Sequence, residues 1–238
     1  MKARLLSLIL VLFLLCGCES APVERETPTA AALPVQTLPP ETSAAPETTV
    51  PDVTVPEPAP EDFVRVLDYL PTARQELMYA TDQNFTGQVI YDFSEAYLRY
   101  GTVKKLAAVS EDLAQLGLSL KIWDGFRPVS AQFQLWEVCP DPAFVADPRK
   151  GHSSHSRGNT VDLTLVDEAG NELEMPTGFD DFSAKADRDY SDCSEAAAAH
   201  AELLEILMEK HGFQGYSAEW WHFTDTVEYP VEERFSPS

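Results

Sequence analysis

The sequence predicts an α+β fold in which a small antiparallel sheet is flanked by helices. Two segments, residues 118–123 and 160–166, alternate apolar and polar side chains with the period of a half-buried strand. Two others, residues 102–116 and 194–210, carry apolar side chains at helical spacing. Strands and helices do not follow one another in strict β–α–β order, which disfavours a doubly wound parallel sheet.

The first eighteen residues have the pattern of a bacterial lipoprotein signal peptide. Lys2 and Arg4 precede an apolar run, residues 5–15, that is too short to span a bilayer, since a spanning helix needs about twenty residues. Gly17 stands before Cys18, which would be the lipidated first residue of the mature chain and would anchor it to the membrane. The pattern also fits an ordinary secretory signal cleaved nearby. We adopt the lipoprotein interpretation and therefore expect an extracytoplasmic, lipid-anchored protein.

Residues 19–62 have the composition of a disordered tether. Ten of the eighteen prolines lie in this segment, together with many Thr, Ala and Glu residues, and aromatic residues are lacking. Such a segment buries too little apolar surface to offset its ordering entropy, and Pro-rich sequence stays extended. The tether would provide reach from the membrane, or spacing alone.

Residues 63–238 are predicted to form one folded domain, because this length supports one sizeable core and is short for two. The formal net charge of the whole chain is −22, and lysine and arginine form no basic stripe. Nucleic acid is therefore excluded as a partner, because its binding depends on contacts from cations to phosphates.

The first half of the domain has clear boundaries between its elements. Gly117 follows the helix predicted at residues 102–116, at the position where a left-handed residue ends many helices. The strand at 118–123 comes next, and residues 124–128 form a turn. A short helix follows at residues 130–138, for which Ser130 is the expected N-cap.

The second half repeats this pattern of strand, turn and helix. In the strand at 160–166, Asp162 lies on the face opposite the apolar residues, where its side chain can reach a cleft. Residues 167–171 form a hairpin-like turn. The helix at 194–210 begins with Ser194 and Glu195, and a last strand is expected at residues 220–224.

Four cysteines divide into two pairs. Cys16 leaves with the signal and Cys18 takes the lipid. Outside the cell, Cys139 and Cys193 have the opportunity to form a disulfide, but sequence alone does not show whether they approach each other.

A split set of metal-type ligands is the main chemical feature of the domain. His155 and Asp162 lie seven residues apart, and His222 follows about sixty residues later. Two imidazoles and one carboxylate match a catalytic zinc site, in which three protein ligands leave one position open for water. Each residue taken alone also fits a surface or hydrogen-bonded role.

Two charged residues complete this hypothesis. Glu219 lies three positions before His222 and would act as general base, taking a proton from water and passing it to the leaving amine. Arg127, on the turn at 124–128, is a candidate to stabilise the negative charge that develops on the carbonyl oxygen. Arg127 alternatively forms a structural ion pair.

Five blocks of sequence support the same interpretation. In chain order they are residues 79–81 with 84–87, 124–128, 153–162, 175–180 and 219–222. Together they resemble the D-alanyl-D-alanine dipeptidase family, the zinc dipeptidases of the vancomycin-resistance type. Pro176 departs from the glycine that the family usually has at that position.

The resemblance implies a fold and a role for each residue. The fold would be that of the zinc D-Ala-D-Ala peptidases, which is hedgehog-like. The chain would bind one Zn²⁺, and its substrates would be D-Ala-D-Ala or related small D,D-peptides. Asp180 would bind the free amine of the dipeptide, and Ser153 and Tyr79 would contact the substrate. An extended or blocked N-terminus would leave the charge of Asp180 unpaired, which gives a reason for selecting dipeptides.

Two departures keep other functions open. The segment between Arg127 and His155 is shorter than in better-known relatives, so the pocket could admit longer peptides. Resistance dipeptidases act in the cytoplasm, whereas a lipoprotein would act on wall-derived peptides outside. A D,D-carboxypeptidase acting on peptidoglycan stem peptides and a non-catalytic wall-peptide binding module are the two alternatives.

Overall fold

The structure, a computed structural model, describes residues 56–238. The predicted signal peptide, Cys18 and most of the predicted tether lie outside the described residues. Residues 56–238 form a mixed α/β fold of three helices and two sheets. Within this part of the chain, no helix combines the length and the apolar character that crossing a membrane requires.

The main sheet has five strands and carries the site described below. The described strands are β1 (Phe63–Arg65), β2 (Arg74–Gln75), β3 (Tyr97–Arg99), β4 (Leu118–Asp124), β5 (Thr160–Asp167), β6 (Phe213–Tyr216) and β7 (Glu219–Asp225). Their order in the main sheet is β2-β4-β5-β7-β6, and β1 pairs with β3 separately. The sheet is antiparallel except at its β2 edge, where β2 pairs with β4 in parallel. The sheet is therefore antiparallel, as predicted, between four of its strands and mixed at this edge.

Three α-helices accompany the sheets: α1 (Tyr100–Ala114), α2 (Val129–Val138) and α3 (Glu195–Lys210). Helix α1 buries Val103, Leu106, Val109 and Leu113, which repeat at helical spacing. Helix α3 begins as the sequence predicts, because the side chain of Ser194 accepts a hydrogen bond from the backbone N–H of Ala197.

Helix α2 begins one residue before the predicted start, and the predicted cap is wrong. Pro128 occupies the N-cap position, and Ser130 lies inside the first turn without capping it. The φ angle of Pro128 is −54°, which the pyrrolidine ring favours, so the chain enters the helix directly from the preceding turn.

Strand β5 forms the centre of the sheet and is buried on both faces. Val161, Leu163 and Leu165 face one side and are fully buried. Asp162 and Thr164 face the other side and are also buried. Asp162 is thus a charged residue inside the protein, where it requires partners that compensate for its lost hydration.

The folded domain begins a few residues before the predicted boundary at residue 63. The backbone N–H of Tyr100 donates to the carbonyl of Asp62, and that of Gly101 donates to the carbonyl of Pro60. The Tyr100 hydroxyl donates to Glu57, 2.6 Å away. The prediction of a disordered tether that extends to residue 62 is therefore too long at its C-terminal end.

Buried Arg99 connects three distant parts of the chain. Its guanidinium donates to the carbonyl oxygens of Glu61 (2.7 Å), Arg157 (2.9 Å) and Pro230 (3.3 Å). The guanidinium carbon also lies 4.1 Å from the centre of the Phe63 ring, which is a cation–π distance. These contacts join the first and last segments of the described fold to the 3₁₀ helix Ser154–Arg157, which carries His155.

Both cysteines of the described region are free thiols. Cys139 ends helix α2, and Cys193 lies just before helix α3. The Cys193 thiol lies 3.3 Å from the carbonyl oxygen of Tyr190, to which it donates. The disulfide that the sequence left open is therefore not formed in this structure.

Candidate metal centre

Three neighbouring strands place three carboxylate or imidazole side chains in one row. Asp162 of β5 is the register partner of Asp124 on β4 and of His222 on β7. A bulge between Ile122 and Asp124 shifts the register at the end of β4. Bulges of this kind redirect a side chain at the edge of an active site.

His155 reaches the row from a short 3₁₀ helix, Ser154–Arg157. Gly158 ends this helix with a φ of +76°, a conformation that favours glycine, and a Cβ there would lie 2.4 Å from the Phe63 ring. The Nδ1 atom of His155 lies 2.9 Å from the carbonyl oxygen of Gly125. Because a carbonyl only accepts, Nδ1 carries the proton and Nε2 keeps its lone pair for a metal.

The three predicted ligands fit a zinc ion. Ligand atoms of His155, Asp162 and His222 all lie within 4.8 Å of one another. His155 Nε2 lies 3.3 Å from Asp162 Oδ2, and His222 Nδ1 lies 3.0 Å from Asp162 Oδ1. Asp162 Oδ1 is buried and finds no hydrogen-bond partner among the described residues. An orphaned carboxylate oxygen between two imidazoles is accounted for by a cation at that position.

The charge of Asp162 is favoured by its surroundings. Burial alone would raise its pKa, but the adjacent imidazoles of His155 and His222 hold the pKa well below its ordinary value. Asp162 is therefore a carboxylate at neutral pH, as a zinc ligand has to be.

Glu219 lies beside the ligand set at the start of β7. Its Oε2 atom lies 3.5 Å from His222 Nδ1, and its side chain lines the same cleft as the three ligands. Burial raises the pKa of Glu219, although the imidazole of His222 opposes this shift. A raised pKa moves a carboxylate towards the range in which it both takes and returns a proton near neutral pH.

Arg127 is held by a buried network behind the cleft. Its Nε and one terminal nitrogen donate to Asp124 Oδ2, at 3.1 and 2.6 Å, and its other terminal nitrogen donates to Gln132 at 3.0 Å. Asp124 also accepts from the Tyr91 hydroxyl at 2.7 Å. A guanidinium has five N–H groups, so two remain for a substrate oxygen. Burial disfavours its charge, but Asp124 keeps the pKa of Arg127 above its ordinary value.

Asp180 faces the cleft and bonds to Tyr79. The Tyr79 hydroxyl donates to Asp180 Oδ2 over 2.7 Å, and both side chains line the cleft. Asp180 has a φ of +54°, an uncommon conformation for a residue other than glycine. The neighbouring Phe179 ring packs between Tyr79 and Trp221, at centroid distances of 5.8 and 6.0 Å. This packing fixes the strained backbone so that Asp180 points into the cleft.

The electrostatic state of Asp180 differs from that of the candidate zinc ligand Asp162. Burial raises the pKa of Asp180 to about 8, and its hydrogen bond from Tyr79 only partly offsets this effect. A carboxylate in this state gains from a positively charged partner, because the partner restores the stabilisation that burial removed. The site is thus suited to an ammonium group.

The cleft has a volume of about 640 Å³, within the usual range for small-molecule sites. Ser153 lines it from the start of the His155 loop, while Phe144 and Phe182 lie at its rim with ring centroids 5.1 Å apart. Phe144 belongs to the segment between Arg127 and His155, so this short segment does line the cleft. All eight predicted site residues of the domain therefore border one cleft.

Sequence reasoning missed the residues that support this site from behind. Asp124 was part of a predicted turn, but nothing in the sequence showed that it pairs with Arg127. Tyr91 and Gln132 carry no local motif at all. Only the spacing of three between Asp124 and Arg127, on a rigid turn, was an available signal for this ion pair.

The chain matches the family model described as D-Ala-D-Ala dipeptidase over residues 60–237. The match covers the whole cleft and all three candidate zinc ligands. The chain belongs to the D-alanyl-D-alanine dipeptidase family.

Individual relatives agree with this dipeptidase assignment. The D-alanyl-D-alanine dipeptidase of Escherichia coli is 42% identical over 164 residues, which is 68% of this chain and 84% of that protein. Its counterpart in Enterococcus faecalis is 33% identical, over 68% of this chain and 90% of that protein. The counterpart in Streptomyces coelicolor is 34% identical, over 68% and 91%.

Among solved structures, the chain is similar to the vancomycin-resistance D,D-pentapeptidase VanY in complex with Zn(II). The identity is 15%, the TM-score is 0.36, and the match covers 56% of this chain and 74% of that chain.

The first prediction concerns the buried ion pair between Asp124 and Arg127. Replacing Asp124 by Asn leaves the guanidinium buried without its counter-charge, so we expect a loss of about 3 kcal/mol in the free energy of unfolding. The exposed pair Arg65–Asp68 has the same spacing of three residues and is the matched control. Asp68→Asn should change stability by less than about 0.5 kcal/mol. Urea unfolding measures both, and equal effects would contradict the proposed importance of burial.

The second prediction concerns Asp180, whose pKa in the folded protein is about 8 and thus lies above that of an unfolded chain. The neutral form is favoured on folding, so its contribution to stability is present at low pH and is lost as the pH rises towards 8. In the metal-free protein, Asp180→Asn should therefore stabilise the fold at pH 8, by about 1 kcal/mol or more, and should have little effect near pH 4.

Asp181→Asn is the control for this second prediction. Hydrogen bonds from Ser183 lower the pKa of Asp181, so its replacement should give no stabilisation at pH 8. Chemical unfolding at the two pH values measures both variants. If Asp180→Asn instead lowered the free energy of unfolding at pH 8, the Asp180 carboxylate would be shown to stabilise the fold, and the prediction would be wrong.

Proposed function

We propose that the protein is a zinc-dependent D-alanyl-D-alanine dipeptidase. The observation that carries this proposal is that two kinds of chemical group line the same cleft. One is the ligand set of His155, Asp162 and His222 with Glu219 beside it. The other is a carboxylate, Asp180, whose surroundings favour an ammonium partner. A peptidase that recognises a free amine next to the bond it cuts requires both.

His155, Asp162 and His222 would hold the zinc ion. When bound, zinc supplies a Lewis acid that lowers the pKa of water and polarises a carbonyl group. The hydrogen bond from His155 to the Gly125 carbonyl fixes the ring orientation needed for this role.

Glu219 would be the general base and then the general acid. It takes a proton from the attacking water and delivers that proton to the nitrogen of the leaving D-alanine. Its position 3.5 Å from His222 keeps it next to the reacting atoms without making it one of the three ligands.

Arg127 would stabilise the transition state. Two of its N–H groups are free to bind the carbonyl oxygen as negative charge develops there, while Asp124 and Gln132 hold the guanidinium in place. The stacking of its guanidinium 4.9 Å from the Tyr79 ring centre further limits its movement.

Asp180 would bind the substrate ammonium, with Tyr79 and Ser153 as further contacts. Because an acylated N-terminus carries no charge, a longer substrate would not supply the positive partner that favours ionisation of the buried Asp180. This interaction supports a preference for free dipeptides.

A D,D-carboxypeptidase that trims peptidoglycan stem peptides is the second candidate. The observation in its favour is the volume of the cleft, about 640 Å³, with an exposed Phe144 at its rim. A non-catalytic binding module is disfavoured by Glu219, because a binder needs no base beside its metal.

The predicted lipid anchor at Cys18 would place the enzyme outside the cytoplasm. There it would hydrolyse dipeptides released from peptidoglycan, in the salvage or processing of wall peptides. The zinc D-Ala-D-Ala peptidase fold of the hedgehog-like type is part of the same proposal, supported by the family match over residues 60–237.

The third prediction tests the reaction and the base together. The purified protein should hydrolyse D-Ala-D-Ala, should lose this activity to a chelator, and should be much slower with LL-dipeptides. Glu219→Ala should keep bound zinc and lose at least about 100-fold in kcat, since a general base contributes roughly 10²–10⁴-fold. Near wild-type turnover of that variant would refute the role of Glu219.

A stem pentapeptide assayed beside the dipeptide separates the two candidate functions. Release of D-alanine from the pentapeptide alone would refute the dipeptidase proposal in favour of the carboxypeptidase.

The fourth prediction concerns localisation. In cells, the full chain should fractionate with membranes, and Cys18→Ala should release it, because a lost lipid removes the membrane affinity of the acyl chains. Cys16 lies two residues before Cys18, inside the predicted signal, so Cys16→Ala is the matched control. Membrane association that survives Cys18→Ala would argue against the lipid anchor.

A further inference from the structure

Arg188 lies behind strand β7, outside every motif that the sequence indicated. Its Nε donates to the carbonyl of Tyr216 at 2.8 Å. One terminal nitrogen lies within hydrogen-bond distance of three carbonyls of β7: those of Glu219 at 3.1 Å, Trp220 at 3.0 Å and His222 at 3.0 Å. The guanidinium thus contacts the backbone of both the general base and a zinc ligand.

These contacts occur where β7 lacks its usual strand partner. Gly215 of β6 pairs with Phe223, but the next residue, Tyr216, pairs with Glu219. The register therefore skips residues 220–222, and their backbone is not paired along β6. Strand carbonyls that are shielded from water need donors when no neighbouring strand supplies them, and Arg188 provides these donors.

Arg188 is itself fixed from three sides. Its other terminal nitrogen lies 3.4 Å from Glu205 Oε2 on helix α3, and that carboxylate also accepts from the Tyr190 hydroxyl at 2.9 Å. The guanidinium carbon lies 4.4 Å from the centre of the Phe223 ring. Gly215 provides the space, since a Cβ there would lie 2.3 Å from the guanidinium carbon.

We propose that Arg188 is a positioning residue for the zinc site, which holds the irregular segment of β7 so that Glu219 and His222 keep their places. This inference rests on the proposed function, since it assigns Glu219 and His222 the roles given above. Arg188 is not among the residues that line the cleft. It acts through the backbone of β7 and does not bond to a ligand side chain. Partners that orient metal ligands are worth about 10- to 100-fold in metal affinity or activity, and we expect an effect in that range here.

The geometry explains why an arginine is suited to this position. The planar guanidinium presents several N–H groups in a fixed arrangement and reaches carbonyls on two sides of the gap. A lysine offers three donors on one point charge and cannot span the same set. Arg188→Lys should therefore be impaired, but less than Arg188→Ala.

The fifth prediction follows for these two variants. For Arg188→Ala, we expect kcat on D-Ala-D-Ala to fall about 10- to 100-fold and the Kd for zinc to rise by a similar factor. KM should stay within about threefold of wild type, because Asp180, Tyr79 and Ser153 are not moved. The absorption bands of the cobalt-substituted protein should shift, since they report the geometry around His222. Arg188→Lys should show the same changes at a smaller magnitude.

Leu113→Ala is the control for general destabilisation. Leu113 is fully buried in helix α1, outside the residues that line the cleft. This variant should lower Tm and leave zinc Kd, kcat and the cobalt spectrum of the folded protein unchanged. The proposal is overturned if Arg188→Ala behaves in the same way, with a lower Tm and a zinc Kd within about twofold of wild type.

A second test combines Arg188→Ala with a substitution at Gly215, which can also be measured alone. Gly215→Ala should weaken zinc binding by itself, because its methyl group displaces the guanidinium. Zinc Kd is the readout here, since Gly215 also lines the cleft and could affect kcat directly. In the Arg188→Ala background, the same change should have little further effect, since the guanidinium is gone. Fully additive losses in zinc Kd would contradict the proposed contact.

The readouts separate this inference from the proposed function. If the wild-type protein hydrolyses no D,D-dipeptide, the dipeptidase proposal fails, whereas the comparison of zinc Kd and cobalt spectra still tests Arg188. If the wild type is active and Arg188→Ala retains wild-type zinc Kd and kcat, only the role of Arg188 fails.

Discussion

The register between β4, β5 and β7 is the constraint on which the metal site depends. It aligns Asp124, Asp162 and His222 across three adjacent strands. Side chains alternate along a strand, so a slip of one residue in β5 would turn Asp162 into the apolar layer and Leu163 into the cleft. The fully buried Val161, Leu163 and Leu165 oppose such a slip, because each would lose its apolar surroundings. The packing of the core thereby sets the positions of the ligands.

The site concentrates negative charge around few cations. Asp124, Asp162, Asp180 and Glu219 lie close to a single arginine, Arg127, and the environment treats each carboxylate differently. Asp124 is neutralised by Arg127, and Asp162 is favoured in its charged form by two imidazoles. Asp180 and Glu219 have raised pKa values because burial outweighs their partners. Asp180 and Glu219 have no permanent cationic partner among the described residues, and they are the acids proposed to bind the substrate ammonium and to transfer the proton. Their negative charge would be compensated only when the substrate binds or a proton is taken up.

The sequence was sufficient to predict the long helices and strands, and the site residues that belong to a recognisable motif. Helices α1 and α3 and strands β4, β5 and β7 have periodic patterns, and each lies within about two residues of its predicted position. Strands β1, β2, β3 and β6 span only two to four residues and were missed, because so short a segment has no measurable period. The candidate ligands were found because His155 and Asp162 are close in sequence and Glu219 is near His222. Asp124 and Arg188 were not, since their roles arise from a bulge and from an interrupted strand pair.

The position of Arg99 has a consequence for how this domain can be rebuilt. Its guanidinium holds the carbonyls of Glu61 and Pro230, and the ring of Phe235 stacks on that of Phe63 at a centroid distance of 4.3 Å, so the first and last segments of the described fold lie side by side. A domain with adjacent entry and exit can be joined through a short linker and reopened elsewhere, or inserted into a loop of a carrier protein. The exposed turn around Gly170 is a suitable new opening, because it lies at the end of β5 distant from Asp162. Circular permutants and insertional fusions of this domain should therefore fold without disturbing the strands that carry the candidate metal ligands.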